Sequence, residues 1–89
     1  MRSVKILITG RVQGVFFRNY TKKKAAKLGV SGYVKNQADG SVLVAAVGED
    51  DKINQLITWC HKGSPFARVD QVEVRDEIEP LNVEGFEIL

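Results

Sequence analysis

The sequence has 89 residues, of which 44% are hydrophobic and 27% charged, with 13 Lys and Arg against 11 Asp and Glu. This length fits a single domain, residues 1–89, and the apolar content is typical of a globular protein rather than a disordered or fibrous one. No apolar run reaches the roughly 20 residues that a membrane helix needs, and the N-terminus predicts no signal peptide. The sequence has one cysteine and one histidine. A single cysteine excludes an internal disulfide and any site that needs two thiolates.

Hydrophobic periodicity predicts a strand and a helix at the start of the chain. Apolar residues alternate over residues 4–8, which predicts a strand ended by Gly10. From about Phe17 the period becomes helical, and Gly29 is the predicted stop of this helix. One face of the helix is expected to hold Phe17, Tyr20, Thr21, Ala25 and Leu28.

A hairpin and a second helix follow. Residues 30–35 and 41–47 are the predicted arms of the hairpin, because Asp39 and Gly40 form a strong turn signal between two apolar runs. The acidic run 49–51 predicts the start of a helix, and Gly63 its end.

The last part of the chain predicts two more strands and completes a recognisable order. Residues 72–75 alternate, and residues 83–89, after Pro80, are predicted to form a short terminal strand. The order βαββαβ, with that short terminal strand added, is typical of the α+β ferredoxin-like split βαβ sandwich. We therefore expect an antiparallel sheet with two helices on one face and the third strand between the first and second.

The segment from Gly10 to Arg18, GRVQGVFFR, joins the first strand to the first helix. Glycines allow a loop to turn several N–H groups inward, and the helix N-terminus adds a partial positive charge. Arg18 can add a bidentate clamp, so the segment predicts a phosphate-sized anion site. Such a loop alone is also compatible with no ligand, and it is neither a Walker loop nor a dinucleotide fingerprint.

Asn36 lies at the predicted end of the second strand, where the plain interpretation is a turn-forming residue. In the split βαβ order, the first two strands run in the same direction with one strand between them. Their ends therefore share one edge of the sheet, about 10 Å apart. A small anion would fit between Arg18 and Asn36, with a water held by the amide.

Two segments resemble the motifs of the acylphosphatase family: GRVQGVFFR at 10–18, and GYVKN at 32–36 followed by Asp39 and Gly40. The resemblance covers essentially the whole chain, including residues 63–65 and 86–88. It implies a cytoplasmic, monomeric enzyme that hydrolyses acyl phosphates to a carboxylate and inorganic phosphate. It implies neither a metal nor a cofactor, and neither nucleic acid nor membrane as a partner.

The resemblance also implies the roles of single residues. Arg18 would hold the phosphoryl group, and Asn36 would orient the attacking water. Neither side chain is a base at neutral pH, so the substrate phosphate is expected to assist deprotonation of the water. Tyr33 stands where many members of the family have Trp, a change expected to affect packing rather than chemistry. The backbone N–H groups that would bind the phosphate oxygens are those of Gln13, Gly14, Val15, Phe16 and Phe17.

Two other functions stay open. RNA-recognition domains share this order of elements, but the predicted first and third strands offer no aromatic side chain for base stacking. An acylphosphatase-like domain can also sense phosphate or act within a larger maturation enzyme. Glycolytic, carbamoyl and aspartyl acyl phosphates are all candidate substrates.

The remaining reactive side chains favour structural roles. Cys60 continues the apolar stripe of the second helix, and Trp59 is expected at the edge of the core. His61 is expected to interact with the C-terminal end of that helix. Lysines 22–24 and 27 are interpreted as the solvated face of the first helix.

Overall fold

The computed structural model describes residues 1–77 and 81–89. Two helices and a five-stranded sheet, with strand order β4-β1-β3-β2-β5, form the α+β ferredoxin-like fold. As predicted, β3 lies between β1 and β2. The elements in chain order are β1 (Arg2–Arg11), α1 (Phe17–Leu28), β2 (Ser31–Asn36), β3 (Val42–Gly48), α2 (Asp50–Lys62), β4 (Arg68–Asp76) and β5 (Phe86–Ile88).

The core lies between the helices and one face of the sheet. Val4, Ile6 and Ile8 of β1 alternate onto that face and are buried, while Lys5 and Leu7 point to the opposite one. Helices α1 and α2 contact each other and the strands beneath them. The alternation of buried and more exposed residues along β1 therefore determines which face of the sheet the helices cover.

The sheet is mixed, so the prediction of a purely antiparallel sheet was wrong at its edge. Strand β5 pairs with β2 in parallel, with Gly32 opposite Phe86 and Val34 opposite Ile88. The reason lies in where β4 ends. Asp76 pairs with Val4, near the start of β1, and β2 begins at the same end of the sheet because both strands run antiparallel to β3. A chain that crosses the sheet at that end enters β5 parallel to β2.

Strand β4 is longer than the predicted 72–75, because the residues at its ends are mostly exposed and obscure the alternation. The terminal strand is shorter than the predicted 83–89. Pro80, the predicted boundary before it, lies outside the described residues.

The prediction that Tyr20 belongs to the inner face of α1 was wrong, because this residue is 40% exposed. Phe17, Thr21 and Ala25 are buried, and they follow a strict i, i+4, i+8 spacing. This stripe is narrower than the predicted face, so Tyr20 lies beside it. The Nζ of Lys23 lies 5.7 Å from the centroid of the Tyr20 ring. Among residues 1–77 and 81–89, no helix is both long and apolar enough to span a bilayer.

Candidate active site

The loop between β1 and α1, residues 12–16, has an unusual backbone. Gly14 has φ 74° and Phe16 has φ 63°, so two residues of a short loop adopt the left-handed conformation. Phe16 is the one non-glycine residue with positive φ in the described part of the chain. Left-handed turns of this kind orient successive N–H groups toward a common centre, which suits an anion. We call residues 12–16 the β1–α1 loop.

The N-terminus of α1 supplies further donors. Its first hydrogen-bonded amide is that of Tyr20, whose N–H donates to the Phe16 carbonyl at 3.1 Å. The N–H groups of residues 17–19 have no acceptor among the described residues. No side chain caps the helix, and its first turn holds no acidic residue but does hold the cation Arg18. A cation at the positive end of a helix dipole is electrostatically unfavourable. A bound anion would attract both the cation and the helix N-terminus and so offset this repulsion.

One cavity, of about 240 Å³, brings the two predicted side chains together. Arg18 reaches it from the first turn of α1, and Asn36 reaches it from the last residue of β2. This is the shared edge that the topology predicted, with β3 between the two strands. The volume accommodates a phosphoryl group together with water, since one water takes about 30 Å³ of liquid. The residues that line the cavity are Val12, Gly14, Phe16, Phe17, Arg18, Asn19 and Asn36.

Asn36 lines this cavity and carries an unused acceptor. Its Oδ1 is buried and has no hydrogen-bond partner among the described residues. An unpaired buried polar atom costs about 1–3 kcal/mol, so a position of this kind is favoured only when something hydrogen-bonds to it. The Nδ2 group offers two donors to an anion or a water in the cavity, and a half-turn of the amide would exchange the positions of Nδ2 and Oδ1.

The end of the chain contacts the guanidinium of Arg18. Its Nη1 donates to the carbonyl oxygen of Leu89 at 3.3 Å. The Leu89 N–H in turn donates to the carbonyl of Val34 in β2 at 2.9 Å. This contact orients the guanidinium and leaves its other N–H groups for a ligand, because arginine has five donors.

Gln13 and Val15 do not line the cavity, unlike Gly14, Phe16 and Phe17. The Gln13 Nε2 donates to the carbonyls of Gln37 at 2.7 Å and Ser41 at 2.9 Å. Val15 is buried, and its carbonyl accepts a hydrogen bond from the Ser64 Oγ at 2.7 Å. Both residues therefore attach the β1–α1 loop to neighbouring segments.

Asn19 and Val12 line the cavity and were missed by sequence reasoning. Asn19 directly follows Arg18 in the first turn of α1. Its place in that turn was a usable signal, because side chains at a helix N-terminus lie close to any bound anion. Val12 is a buried apolar residue, and nothing in its side chain indicates a cavity wall.

The other reactive groups lie in structural positions. Burial raises the pKa of the Cys60 thiol from 9.0 to about 12, so this thiol stays protonated. Trp59 packs against Phe17 with ring centroids 5.4 Å apart, and His61 places its Nδ1 3.0 Å from the Ile57 carbonyl one turn earlier in α2. Across residues 1–77 and 81–89, no group of three or more His, Cys, Asp or Glu side chains could hold a metal ion.

Fold and cavity define a class of protein: a ferredoxin-like α+β domain in which the loop after β1 and an asparagine at the end of β2 line one cavity, with β3 between the two strands. Known proteins are similar to this chain. The acylphosphatase of Rubrobacter xylanophilus is 46% identical over 87 residues, covering 98% of this chain and 79% of its own. A crystal structure of acylphosphatase from Bacillus subtilis is similar with a TM-score of 0.96 at 32% identity, covering 100% of this chain and 99% of that one.

The acylphosphatase family model matches residues 4–88. The chain therefore belongs to the acylphosphatase family, and it is an enzyme of that family, whose activity is the hydrolysis of acyl phosphates. A crystal structure of HypF from T. kodakarensis is also similar, with a TM-score of 0.86 at 28% identity, over 100% of this chain but 12% of that one. The same fold thus occurs as one part of a much longer protein.

Proposed function

We propose that the chain cleaves acyl phosphates by direct attack of water on phosphorus. The water oxygen forms a bond to phosphorus while the bond from phosphorus to the acyl oxygen breaks. The bonding electron pair leaves with the carboxylate, and the water proton goes to the phosphate. The observation that carries this proposal is that Asn36, whose Oδ1 has no partner among the described residues, lines the same cavity as Arg18. One group can hold a water there, and the other can hold the phosphoryl group.

The phosphoryl group would be held from two sides. Backbone N–H groups of residues 13–17, in the β1–α1 loop and at the start of α1, would donate to the phosphoryl oxygens, and Arg18 would donate from its guanidinium. The support is the pair of left-handed residues in the loop and the unpaired N–H groups that follow. Fixed donors of this kind stabilise the charge that builds on the equatorial oxygens in the transition state.

The chemistry suits a site with few titratable groups. A carboxylate is a good leaving group, so it needs little help from a general acid. Neither Arg18 nor Asn36 accepts a proton at neutral pH, which leaves the substrate phosphate as the group that takes the proton from water. The protein then contributes mainly by positioning the water and by stabilising charge.

Hydrolysis of benzoyl phosphate in the presence of a chelator tests the proposal. We expect turnover that does not depend on added metal, and a loss of about 10²–10³-fold in kcat for Arg18→Gln. Asn36→Ala should lower kcat strongly with a smaller effect on KM, because its water is needed in the chemical step. Arg75→Gln and Asn82→Ala, at exposed positions that do not line the cavity, serve as matched controls. Full turnover in Arg18→Gln or Asn36→Ala would overturn the site assignment.

A second candidate is a phosphate-sensing domain or a component of a larger maturation enzyme. The similarity to one segment of HypF favours it. Binding of inorganic phosphate without hydrolysis of any of several acyl phosphates would support this function against the first.

The remaining expectations stay predictions. They are a single domain over residues 1–89, a monomer, a cytoplasmic location, and no metal, cofactor, nucleic acid or membrane as a partner. Sedimentation of the purified chain tests the monomer directly.

A further inference from the structure

The backbone conformation of Phe16 is energetically unfavourable. Its φ of 63° is left-handed, which costs a non-glycine residue on the order of 1–3 kcal/mol. The residue is also 65% exposed, so burial of its ring in the core offsets little of that free-energy cost. Strain of this kind persists only where surrounding structure maintains it, and it is concentrated at functional sites.

Local structure does not favour phenylalanine here. Phe16 is the N-cap residue of α1 and makes no side-chain capping hydrogen bond. Ser, Thr, Asn and Asp are preferred at this position, and Asn also tolerates the left-handed conformation. The next residue, Phe17, is buried in the core, so the two adjacent rings have different roles. Neither capping nor packing explains the exposed ring.

The place of the ring relative to the cavity suggests a role. Phe16 lines the cavity together with Arg18 and Asn36, and it is an exposed residue, so an apolar ring is available beside the cavity. With the phosphoryl group held by the loop, the leaving oxygen must lie opposite the attacking water. The acyl group therefore extends from the phosphoryl group toward solvent, where Phe16 offers an apolar surface.

We propose that Phe16 contacts the acyl group of the substrate and makes the enzyme prefer aromatic and larger apolar acyl phosphates over acetyl phosphate. This inference rests on the proposed function, because it needs an acyl phosphate in the cavity. An aromatic acyl group can stack on the exposed ring and remove apolar surface from water, which a methyl group does to a smaller extent. Phe66 is 75% exposed but does not line the cavity, so exposure alone does not assign it the same role.

The ratio of kcat/KM for benzoyl phosphate to that for acetyl phosphate tests this role. Comparing the ratio between variants cancels the intrinsic reactivities of the two substrates. Phe16→Asn removes the ring and keeps a residue that tolerates the left-handed conformation, so the loop can retain its shape. We expect the ratio to fall about tenfold in Phe16→Asn and less in Phe16→Leu, which stays apolar. Phe66→Ala is the matched control and should leave the ratio unchanged.

A second measurement does not need turnover. The inhibition constant of methylphosphonate divided by that of benzylphosphonate should also fall in Phe16→Asn and stay constant in Phe66→Ala. Equal losses for both substrates, or an unchanged ratio of inhibition constants, would overturn the proposal and leave the ring with a role in loop shape only.

The outcomes separate this inference from the proposed function. If the wild-type enzyme is active, Arg18→Gln is inactive and the Phe16 ratios are unchanged, the inference on Phe16 fails and the proposed function stands. If the wild-type enzyme hydrolyses neither substrate, both are overturned. The melting temperature of each variant shows whether a lost activity reflects unfolding.

Discussion

Gly32 shows how closely two strands approach near the site. This residue of β2 has φ 146°, and a Cβ on it would overlap the carbonyl oxygen of Ala45 in β3. Its N–H also donates to the Gly85 carbonyl at 2.9 Å, just before β5. A side chain here would push β2 away from β3, and so displace the strand that ends in Asn36.

We predict that Gly32→Ala lowers the free energy of unfolding by about 3 kcal/mol, because it adds backbone strain to an overlap with main-chain atoms. Gly40→Ala is the matched control. Gly40 has φ 95°, but a Cβ added there would meet no atom within 4 Å among the described residues, so it should lose only about 1 kcal/mol. Urea unfolding measures both values. Equal losses would show that the sheet opens easily at Gly32.

The buried thiol of Cys60 makes the free energy of unfolding depend on pH in the alkaline range. Burial raises its pKa from 9.0 to about 12, so the thiol is protonated in the folded state and ionises earlier in the unfolded chain. The stabilisation is fully present below pH 9.0 and is lost as pH rises toward about 12. Over this interval we expect the free energy of unfolding to fall by up to about 1.4 kcal/mol per pH unit from this group.

The measurement for Cys60 compares wild type with Cys60→Ala across that pH interval. The variant loses packing at every pH, but the slope due to the thiol should disappear. Parallel curves for the two proteins would show that the thiol ionises equally easily in the folded state.

At the scale of elements, Gln13 joins the β1–α1 loop to the β2–β3 hairpin through two carbonyls, those of Gln37 and Ser41. These bonds couple the β1–α1 loop to the hairpin whose first strand carries Asn36. We predict that Gln13→Ala lowers kcat/KM about tenfold and the free energy of unfolding by about 1 kcal/mol, because the two side-chain hydrogen bonds are lost while each carbonyl keeps a backbone donor. Kinetics with benzoyl phosphate, together with urea unfolding, measure both effects. Thr58→Ala, which removes an exposed hydrogen bond within α2, is the control and should leave kcat/KM unchanged.

The element order and the shared edge of Arg18 and Asn36 could be predicted because both follow from short-range period and chain direction. Gln13 was expected to act through its N–H, and its side-chain bonds to the hairpin were not foreseen. The contact of Arg18 with Leu89 was also missed. Both depend on where distant segments meet, and no local period encodes that. Likewise, the parallel direction of β5 depends on where β4 ends rather than on the residues of β5.

At the scale of the molecule, charge is unevenly distributed. Helix α1 carries a run of basic residues and no acidic one, with the sequence FRNYTKKKAAKL. Acidic side chains concentrate toward the end of the chain, at residues 70, 73, 76, 77, 79, 84 and 87. The net charge of +2 hides this asymmetry. The basic helix begins at the cavity, so its field attracts anionic substrates toward the site.

We predict that kcat/KM falls several-fold between about 10 mM and 200 mM ionic strength, because salt screens this field. The double variant Lys23→Gln with Lys27→Gln should show a shallower dependence with kcat unchanged. Lys5→Gln with Lys52→Gln removes the same charge from β1 and α2 and is the matched control. Equal slopes in the two variants would show that only the total charge matters.

The pairing of β1 with β4 joins the first strand to one near the far end of the chain, with Val4 opposite Asp76. During synthesis, the segments that carry Arg18 and Asn36 are made before β4. The sheet needs these non-local contacts before it can close, and folding dominated by such contacts is slow. A translation product cut short before β4 would thus contain both motifs of the site but lack the strand that completes β1. We therefore expect catalytic activity only in chains whose synthesis has passed β4.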